Sequence, residues 1–571
     1  MEAPCPPDPV VPVGPAAAAQ CSAASTAGSG FLGAGGQNHH CGAHKSGRIR
    51  PCSTPLPSQL GDGLQRDITA DGRHMLMLPS FVLKLPDGTE TGDAYAIDLG
   101  GTNFRVMHVR LSEQRSLVAA QELHEVALPV EVYTGSCTQL FDFLAHTLTG
   151  FIREHGGCNS MKAGGLPVVG FCFSFPTHQT ALDAGVLLDW TKNFTCVGAI
   201  GQDPVKLLSE ALERAGQPCH IAALLNDSVA VLAAHRYLEP STSIAVIIGT
   251  GTNACYVERL GALTKWRPTS PSGQLLDLAP ETETVVNVEW GSFWSPALPH
   301  CAEDWEVDAA TAHQGKGMFE KLLSGMFLGE VARRMLLRLV ADTKLLGDWS
   351  SSPDAARVMA TLAVKGVLTT AHLAAIVEDR SPRLTITAQV LSEALGAGQK
   401  LAPWSSRRVV RCVCEMVARR SALMLALGLR ALLIHTGWVA ANRATGEEAS
   451  QTTATSRSTD RCATGYTTVA FDGGVYAKFG AYRDMLRAAL DHLLGPELSS
   501  KVHFELSHDG SCFGAAVLAV AATKPWPRRS TKEDSGLNLA PTYHHSRRLT
   551  APDPMHTCSE LSPQGPVSTQ P

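Results

Sequence analysis

Short apolar runs that end at glycine turns alternate along the chain with longer segments in which apolar residues recur at helical spacing. Residues 93–99 and 103–111 form two such runs around a glycine turn, and residues 167–175 form a third that reaches Pro176. Residues 139–154 place apolar side chains three and four positions apart, as on one face of a helix. The pattern predicts three strands and a helix in this part of the chain.

The alternation continues through the middle of the chain. Asp203 and Gly216 bracket a segment with Pro204 in its first turn, and these residue types favour a helix start and a helix end. Residues 220–227 predict a strand, and residues 243–258 predict a strand, a glycine turn and a second strand.

The last third of the chain repeats the theme. Helices are predicted from Met318 to Val340, from Arg407 to His435 and from Ala515 to Ala522, and strands precede the glycine turns within residues 469–476 and 503–514. Strands that alternate with helices in this way predict an α/β fold with mixed sheets.

Three segments lack these patterns and are predicted to be disordered: residues 1–58, about 441–465, and 524–571. They are rich in small and polar residues and cannot bury enough apolar surface to offset the entropy of ordering. The scarcity of acids in the leader favours a plastid transit peptide, although no Arg precedes Arg48; a cytoplasmic protein with a plain disordered tail is the alternative. The cluster His39–His44 is interpreted as incidental, with no direct metal site.

Composition narrows the choice of function. The chain has 571 residues, of which 44% are hydrophobic and 18% charged, and its formal net charge is −5. We expect two lobes, because one core rarely organises so many residues, and no nucleic-acid partner, because no broad basic field is present. The sixteen cysteines are scattered and are read as reduced thiols. The most apolar helical segment, residues 422–434, contains Arg430, so no membrane span is predicted.

Four strand ends carry turns of small residues, at Asp98–Asn103, Gly249–Asn253, Asp472–Val475 and Asp509–Ser511. Glycine lets the backbone amides approach an anion closely, and threonine hydroxyls add donors. A single such turn is usually an ordinary hairpin, but two glycine hairpins between apolar strands indicate phosphate binding. None of the turns matches the P-loop or dinucleotide patterns.

At this point the chain resembles a known family. The blocks AIDLGGTNFRV, GFCFSFP, LLDWTKNF, LLNDSVAVL, IIGTGTNACYVE, VVNVEWGSF, FEKLLSGMFLGE, VAFDGGVY and SHDGSCFGAA follow one another in the order found in hexokinases. The likeness runs from about Met75 to Ala522, is greatest to the hexokinases of plants and green algae, and occurs in a single copy.

The resemblance implies a two-lobed actin-like ATPase and sugar-kinase (ribonuclease H-like) fold with a cleft between a small and a large lobe. Residues 75–223 with 511–523 would form the small lobe, and residues 224–510 the large lobe. It also implies an ATP-dependent, monomeric enzyme that phosphorylates the 6-hydroxyl of a hexose such as glucose.

Site residues follow from the same resemblance. The positions implied for the sugar are Ser174, Thr191, Lys192, Asn226, Asp227, Asn253, Glu289 and Glu320. Those implied for the phosphates of ATP are Asp98, Gly100, Gly101, Thr102, Asn103, Gly249, Thr250, Gly251 and Thr252. Those implied for the adenosine are Asp472, Gly473, Gly474, Ser507, Gly510 and Ser511.

The chemistry of these residue types suits phosphoryl transfer, which needs positioning and charge stabilisation. Asp227 is proposed to take the proton of the 6-hydroxyl, and Lys192 to orient the sugar and stabilise charge near the reacting oxygen. Mg²⁺ would be held mainly by ATP phosphates and water, with Asp98 in its outer shell. Arg105 is either a phosphate-side cation or an ion-pair partner.

Plainer interpretations exist for several residues. Asp227 at a strand end is equally suited to cap a helix, and Glu289 and Glu320 are of a type that usually lies on a solvated surface. Lys192 would ordinarily be an exposed lysine, and Ser174 would merely satisfy a turn. The ordered blocks favour the site reading over these alternatives.

Three departures from the family pattern bear on function. Gly317 stands where the family usually has Glu or Gln, so a sugar contact is expected to be missing. Cys512 replaces a glycine, so a side chain is expected to intrude near the adenosine region. The chain before the MLPSF block is poor in helix formers. Two other classes of protein stay open: a non-catalytic sugar sensor, and an actin-type or chaperone ATPase.

Overall fold

The computed structural model describes residues 56–66, 73–100, 103–112, 114, 118–155, 165–190, 194–268, 275–443 and 465–523. All of them lie in one compact unit, Pro55–Pro571. Residues 1–55, 444–464 and 524–571 lie outside the described residues, and so do the leader's His39–His44 cluster and the predictions of disorder made for those segments.

The strands form three sheets. They are β1 Leu78–Pro79, β2 Gly92–Leu99, β3 Asn103–Leu111, β4 Val118–Ala127, β5 Val168–Phe173, β6 Thr177–Ala181, β7 Ala184–Leu187, β8 His220–Leu225, β9 Thr242–Ile248, β10 Thr252–Arg259, β11 Glu283–Asn287, β12 Thr467–Asp472 and β13 Val502–Leu506.

Helices connect and cover these sheets. They are α1 Leu56–Gln65, α2 Val130–Thr134, α3 Cys137–His155, α4 Pro204–Arg214, α5 Asp227–Leu238, α6 Ala302–Ala309, α7 Met318–Leu323, α8 Gly325–Thr343, α9 Pro353–Ala363, α10 Thr370–Glu378, α11 Thr385–Leu395, α12 Trp404–His435, α13 Trp438–Arg443, α14 Gly474–Lys478, α15 Gly480–Leu494, α16 Pro496–Ser499 and α17 Gly510–Ala522. Short 3-10 turns cover Leu260–Ala262 and Trp290–Ser292.

The two larger sheets share one topology. The five-stranded sheet has the order β4-β3-β2-β5-β8, and the last five strands of the six-stranded sheet have the corresponding order β11-β10-β9-β12-β13. In each of these two sets of five strands, the three strands that come first in the chain pair antiparallel as consecutive hairpins. The next strand pairs parallel with the first of these three, and the last strand pairs parallel with that next strand. Both sheets are mixed, as the sequence predicts for an α/β fold, and both have the same strand arrangement.

Helices α5 and α17 join the two sheets. Their buried residues share one hydrophobic core with residues of both sheets, such as Ala96 of β2 and Ala470 of β12. The helices approach closely at Gly514, where an added Cβ would lie 1.8 Å from the carbonyl oxygen of Ala230. This close contact places the start of both helices beside the strand ends that carry the predicted site.

The helix boundaries refine the predictions. The Asp203 cap is confirmed, since its side chain accepts a hydrogen bond from the amide of Val205. The helical pattern from Met318 to Val340 is confirmed, but it is divided into two helices, α7 and α8, at Ser324, whose backbone is extended.

Helix α1 begins at Leu56, inside the end of the leader that was predicted to be disordered up to residue 58. Leu56, Leu60 and Leu64 pack into the largest core cluster together with Met75. The chain ahead of the MLPSF block therefore supplies one helix to the core, although its sequence is poor in helix formers.

Within the part of the chain that the structure describes, no helix is long and apolar enough to cross a membrane. The cysteines that it describes are all free thiols.

Candidate active site

The predicted site residues lie where parallel strands end. Ser174 follows β5, Asn226 follows β8, Gly249 follows β9, Asp472 ends β12 and Ser507 follows β13. In open α/β sheets, ligands bind at the carboxyl ends of the strands, near the point where the strand order reverses. The duplicated topology therefore gathers polar groups from both sheets at such edges.

Three of the residues predicted to bind the sugar form one hydrogen-bonded network with a fourth polar side chain. The amide nitrogen of Asn253 lies 3.2 Å from Oδ1 of Asn226, 2.8 Å from Oδ1 of Asn287 and 3.0 Å from Oε1 of Glu289. Asn287 also donates to Oε1 of Glu289 at 2.8 Å. The structure thus brings together three of the predicted sugar residues.

Asn287 belongs to this network but was missed by the sequence interpretation. It is 6% exposed and lies two positions before Glu289 at the end of β11. Ligands bind at the carboxyl ends of strands in open α/β sheets, so a polar residue at the end of a predicted strand was the signal that could have identified it.

The backbone of Glu289 is held in an unusual conformation. Its φ of 55° and ψ of 45° lie in the left-handed region, and its amide donates to Oδ1 of Asn253 at 3.1 Å. Such a conformation costs free energy in a residue with a side chain and persists only where its surroundings fix it. Oδ1 of Asn253 also accepts from the amide of Ala254 at 2.7 Å, so both ends of the Asn253 amide are oriented.

Asp227 is the first residue of α5, and Asn226 supplies the helix cap. Oδ1 of Asn226 accepts hydrogen bonds from the amide of Ser228 at 3.0 Å and from its hydroxyl at 2.8 Å. One oxygen of Asp227 also accepts from the Ser228 amide, at 2.8 Å. The capping role considered for Asp227 is therefore filled by its neighbour, and Asp227 places a half-buried carboxylate at a helix N-terminus, where negative charge is favoured.

Glu320 contacts the glycine hairpin between β9 and β10. Its Oε2 accepts a hydrogen bond from the amide of Thr252 at 3.1 Å, and a Cβ added at Gly251 would lie 2.6 Å from that oxygen. Gly291, just after Glu289, lies against the other end of the Glu320 side chain. Glu320 is thus packed beside the sugar network and is not a solvated surface carboxylate.

The remaining sugar positions are only partly described. Ser174 is 6% exposed and lies against Gly100, where an added Cβ would be 2.7 Å from the Ser174 hydroxyl. Thr191 and Lys192 lie outside the described residues.

The first hairpin predicted to bind phosphate, between β2 and β3, is hydrogen-bonded to the start of α17. Oδ2 of Asp98 accepts hydrogen bonds from Arg105 at 2.6 Å and from the hydroxyl of Ser511 at 2.7 Å. Arg105 also contacts Asp509, at 3.3 Å. The adjacent Asp98 raises the pKa of the Arg105 guanidinium. Arg105 is therefore an ion-pair partner of Asp98, the second of the two roles considered for it.

Ser511 was expected beside the adenosine, and that expectation stays a prediction. The residue is 2% exposed, and its hydroxyl also lies 3.3 Å from Arg105. Ser511 thus supports the aspartate of the first hairpin. Gly101 and Thr102 of that hairpin lie outside the described residues, and Asn103 is exposed and donates to Glu125 of the neighbouring strand.

The second hairpin is held from both sides. The amides of Gly325 and Met326, at the start of α8, donate to the carbonyls of Gly249 at 2.7 Å and Thr250 at 3.2 Å. Gly473, with a φ of 107°, packs so closely that an added Cβ would lie 2.8 Å from the Gly249 nitrogen. Only a glycine fits this position, so the Asp472 turn and the second hairpin form one rigid surface.

Thr252 and Thr250 differ in their availability to a phosphate. The hydroxyl of Thr252 donates to the carbonyl of Ile247 at 2.9 Å and accepts from the indole of Trp290 at 3.1 Å. Its single proton is thus committed within the protein, whereas Thr250 is exposed. The expected hydroxyl contact to phosphate therefore suits Thr250 better than Thr252.

Carboxylates from both sheets affect one another across this edge. Burial raises the pKa of Asp472 to about 6, and the charges of Asp98 and Asp227 add to the rise, whereas the Gly473 amide and Arg105 oppose it. Interactions of this kind require the groups to be close. The proposed base and the aspartates of both nucleotide turns thus share one electrostatic environment.

The other nucleotide positions lie around the same turns. Gly474 is exposed at the start of α14, and buried Ser507 donates its amide to the carbonyl of Phe471 at 2.7 Å. The Ser507 hydroxyl packs on Gly510, where an added Cβ would lie 2.0 Å from it.

Two positions that depart from the family pattern, Cys512 and Gly317, have different surroundings. Cys512 does not intrude near the adenosine region as expected, because it is fully buried and its Sγ lies 3.7 Å from the carbonyl of Ala96 on β2. Gly317 has a φ of 62° and directly precedes α7, and an added Cβ would find its nearest neighbour, the Gly291 carbonyl, 3.9 Å away.

Among the residues that the structure describes, no group of three or more His, Cys, Asp or Glu side chains is arranged to hold a metal ion.

Comparisons with known proteins identify the family of this chain. Two family models, each described as Hexokinase, match residues 44–237 and 243–521. The chain is 37% identical over 485 residues to "Hexokinase-4, chloroplastic" of Oryza sativa subsp. japonica. The aligned residues cover 84% of this chain and 88% of the relative. It is 38% identical to "Hexokinase-2, chloroplastic" of Nicotiana tabacum, over 83% of this chain and 89% of the relative.

A solved structure titled as a hexokinase from Schistosoma mansoni complexed with glucose matches with a TM-score of 0.64 and 30% identity, over 82% of this chain and 94% of the other. This match confirms the predicted two-lobed sugar-kinase fold. The extent and identity of these matches show that the chain belongs to the hexokinase family.

Proposed function

We propose that this chain transfers the γ-phosphoryl group of ATP to the 6-hydroxyl of a D-hexose such as glucose, giving hexose 6-phosphate and ADP. The observation that carries the proposal is the network of Asn226, Asn253 and Glu289 directly beside Asp227. Membership of the hexokinase family and the glucose named in the Schistosoma mansoni structure support it.

The network suits a sugar because each hexose hydroxyl both donates and accepts hydrogen bonds. Carboxylates accept and amides do both, so neighbouring hydroxyls can be paired at once. Ser174, Thr191, Lys192 and Glu320 are proposed to complete this recognition. A site built this way rejects sugars that lack a hydroxyl, because its own polar groups are then left unpaired.

Asp227 is proposed as the base for the transfer step. Its carboxylate would accept the 6-hydroxyl proton as that oxygen attacks the γ-phosphorus and the bond to the β-phosphate oxygen of ADP breaks. Lys192 would orient the sugar and stabilise charge near the reacting oxygen. The amides of the Gly249–Gly251 turn would hold the phosphates.

ATP is proposed to bind with Mg²⁺, which neutralises phosphate charge when bound. The donor set fits a role in its outer shell: Oδ2 of Asp98 is already used by Arg105 and Ser511, and carboxylates commonly hold the water shell of Mg²⁺. Asp98 would thereby orient the water around MgATP.

Glucose-dependent release of ADP from the purified chain tests the proposal. Asp227→Ala should lower kcat by about 10²–10⁴-fold, the range for removal of a positioned base. Asp354→Ala, which also removes an acidic residue from the first turn of a helix, should leave kcat unchanged.

The outcomes separate three classes of protein. Equal release by the wild type and Asp227→Ala would contradict the assignment of the base. Hexose binding without release would indicate a sugar sensor, and release that ignores hexose would indicate an ATPase of the actin or chaperone class. Parallel assays with glucose, fructose and mannose would identify the preferred substrate.

We also propose that the protein is a plastid enzyme, with a cytoplasmic location as the alternative. The support is the acid-poor leader and the chloroplastic names of two relatives. Fluorescence of a full-length fusion, compared with one that starts at Leu56, tests it: plastid targeting should be lost in the shorter chain.

A monomer is proposed as the working form, and light scattering of the purified protein would test that.

A further inference from the structure

A buried ion pair lies directly behind Glu320. Nζ of Lys321 is 2.5 Å from Oδ1 of Asp308, and both side chains are almost completely buried, with 6% and 10% exposed. Burying two charges is unfavourable unless they are paired and further hydrogen-bonded, so such a pair holds its surroundings in one arrangement. Here the pair joins the end of α6 to the first turns of α7.

The same two side chains also close the loop between these helices. Both oxygens of Asp308 lie 2.9 Å from the amide of Gly315, and Nζ of Lys321 donates to the carbonyl of His313 at 2.8 Å. The loop then reaches Gly317, whose carbonyl accepts the amide of Lys321 at 3.0 Å.

Helix α7 packs into the core through Phe319, which contacts Trp290 and Phe293, and its start is not fixed by a cap. It contains only six residues, its first flanking residue Gly317 is left-handed, and no side chain caps it. Adjacent residues of a helix point about 100° apart, so Lys321 can be anchored on one side while Glu320 faces the glycine hairpin on another. The Lys321 anchor on one side and the packing of Phe319 on the other therefore both act on the position of Glu320.

We propose that Asp308 and Lys321 are positioning residues that set Glu320 for hexose binding. The inference rests on the proposed function, since it assigns a role relative to the sugar. Movement of α7 would shift the Glu320 carboxylate, which accepts the amide of Thr252 at 3.1 Å and adjoins the sugar network. A shift of about 1 Å in a positioned group is enough to reduce activity markedly.

The test is the double variant Asp308→Asn/Lys321→Met, which keeps side-chain volume and leaves no unpaired buried charge. The KM for glucose should rise about tenfold, while the KM for ATP changes less than about twofold, because the lost interaction is a binding one. In a Glu320→Gln background the same double change should have little further effect on the glucose KM, because residues acting through one another are not additive.

The matched control is the ion pair of Glu330 and Arg333, which is equally buried at 8% and 3% exposed and lies in α8. Glu330→Gln/Arg333→Met should lower Tm to a similar extent and leave the glucose KM unchanged. Should the first double variant fail to fold, Asp308→Asn alone, which still accepts hydrogen bonds, must raise the glucose KM at least about threefold.

The outcomes are distinguishable. A folded Asp308→Asn/Lys321→Met protein with an unchanged glucose KM, or an effect that adds fully to Glu320→Gln, overturns the inference alone. A wild-type chain that neither binds nor phosphorylates hexose overturns the proposed function and this inference with it.

Discussion

The side-chain amide of Asn253 donates a 3.0 Å hydrogen bond to the carboxylate of Glu289, 36 positions away in the chain. Asn287 contacts both partners from the neighbouring strand, donating to Glu289 at 2.8 Å and accepting from Asn253 at the same distance. The orientation of the Glu289 carboxylate toward a sugar therefore depends on a residue that itself need not touch the sugar.

Replacing Asn287 tests this dependence. Asn287→Ala removes one donor from Glu289 and one acceptor from Asn253, and the loss of each hydrogen bond costs about 0.5–1.5 kcal/mol. We expect the glucose KM to rise about tenfold or more, measured by steady-state kinetics. Gln389→Ala, which removes an amide from an exposed helix position, is the control and should change nothing. An unchanged glucose KM in Asn287→Ala would contradict the role given to the network.

The nucleotide specificity of a Ser511 variant separates two views of that residue. The buried hydroxyl of Ser511 donates to Asp98, so Ser511→Ala should lower kcat/KM for ATP and for ITP by the same factor, about tenfold. A direct adenosine contact would instead change the ratio of the two nucleotides. Parallel kinetics with ATP and ITP decide the matter, and a ratio altered in Ser511→Ala would support the adenosine assignment.

Two neighbouring glycines offer a matched pair of substitutions. An added Cβ at Gly473 would lie 2.6 Å from the backbone of Ile248, and the φ of 107° disfavours any side chain. Gly474 has nothing within 4 Å of an added Cβ and begins α14. Gly473→Ala should therefore lose at least about 2 kcal/mol of stability and raise the KM for ATP, whereas Gly474→Ala should keep the stability of the wild type. Chemical denaturation measures the stability of both variants, and steady-state kinetics measures the KM for ATP. An equal loss of stability in the two variants would argue against a rigid turn.

Asp472 should make stability fall as the pH rises. Burial raises the pKa of its carboxyl from 3.8 to about 6, so below about pH 4 the group is protonated in both folded and unfolded chains. Between about pH 4 and 6 the unfolded chain releases the proton first, so the free energy of unfolding falls, by on the order of 2 kcal/mol in all, and above about pH 6 the loss is complete.

Thermal unfolding of the wild type and Asp472→Asn at pH 5, 6 and 8 checks this. The asparagine does not ionise, so the variant should gain Tm relative to the wild type as the pH increases through this window. Asp354→Asn, at an exposed position, should follow the wild type throughout. A constant difference in Tm between the wild type and Asp472→Asn would contradict the raised pKa.

Much of the local structure followed from short-range signals. The strands on either side of the Gly249–Gly251 turn, and the Asp203 cap before Pro204, were predicted because each depends on residues a few positions apart. The break at Ser324 was not, since apolar residues keep their helical spacing from α7 into α8, although Ser324–Gly325 is a dipeptide that marks turns.

The sequence identified residues of the candidate site better than it identified their interaction partners. Asn226, Asp227, Asn253 and Glu289 were assigned through family motifs, and the structure brings Asn226, Asn253 and Glu289 into one network. The partner of Ser511 was beyond such reasoning, because Asp98 lies 413 positions earlier and only tertiary packing brings them together. The roles assigned to Thr191 and Lys192 stay predictions.

The bond between Ser511 and Asp98 also bears on how the protein is made. Synthesis proceeds from the N-terminus and domains fold as their residues emerge, so β2 and β3 are complete long before α17 exists. A nascent chain that has not yet reached Gly510 possesses both glycine hairpins but has no hydroxyl to hold the aspartate of the first one. The proposed nucleotide site is therefore completed only after the final helix has left the ribosome.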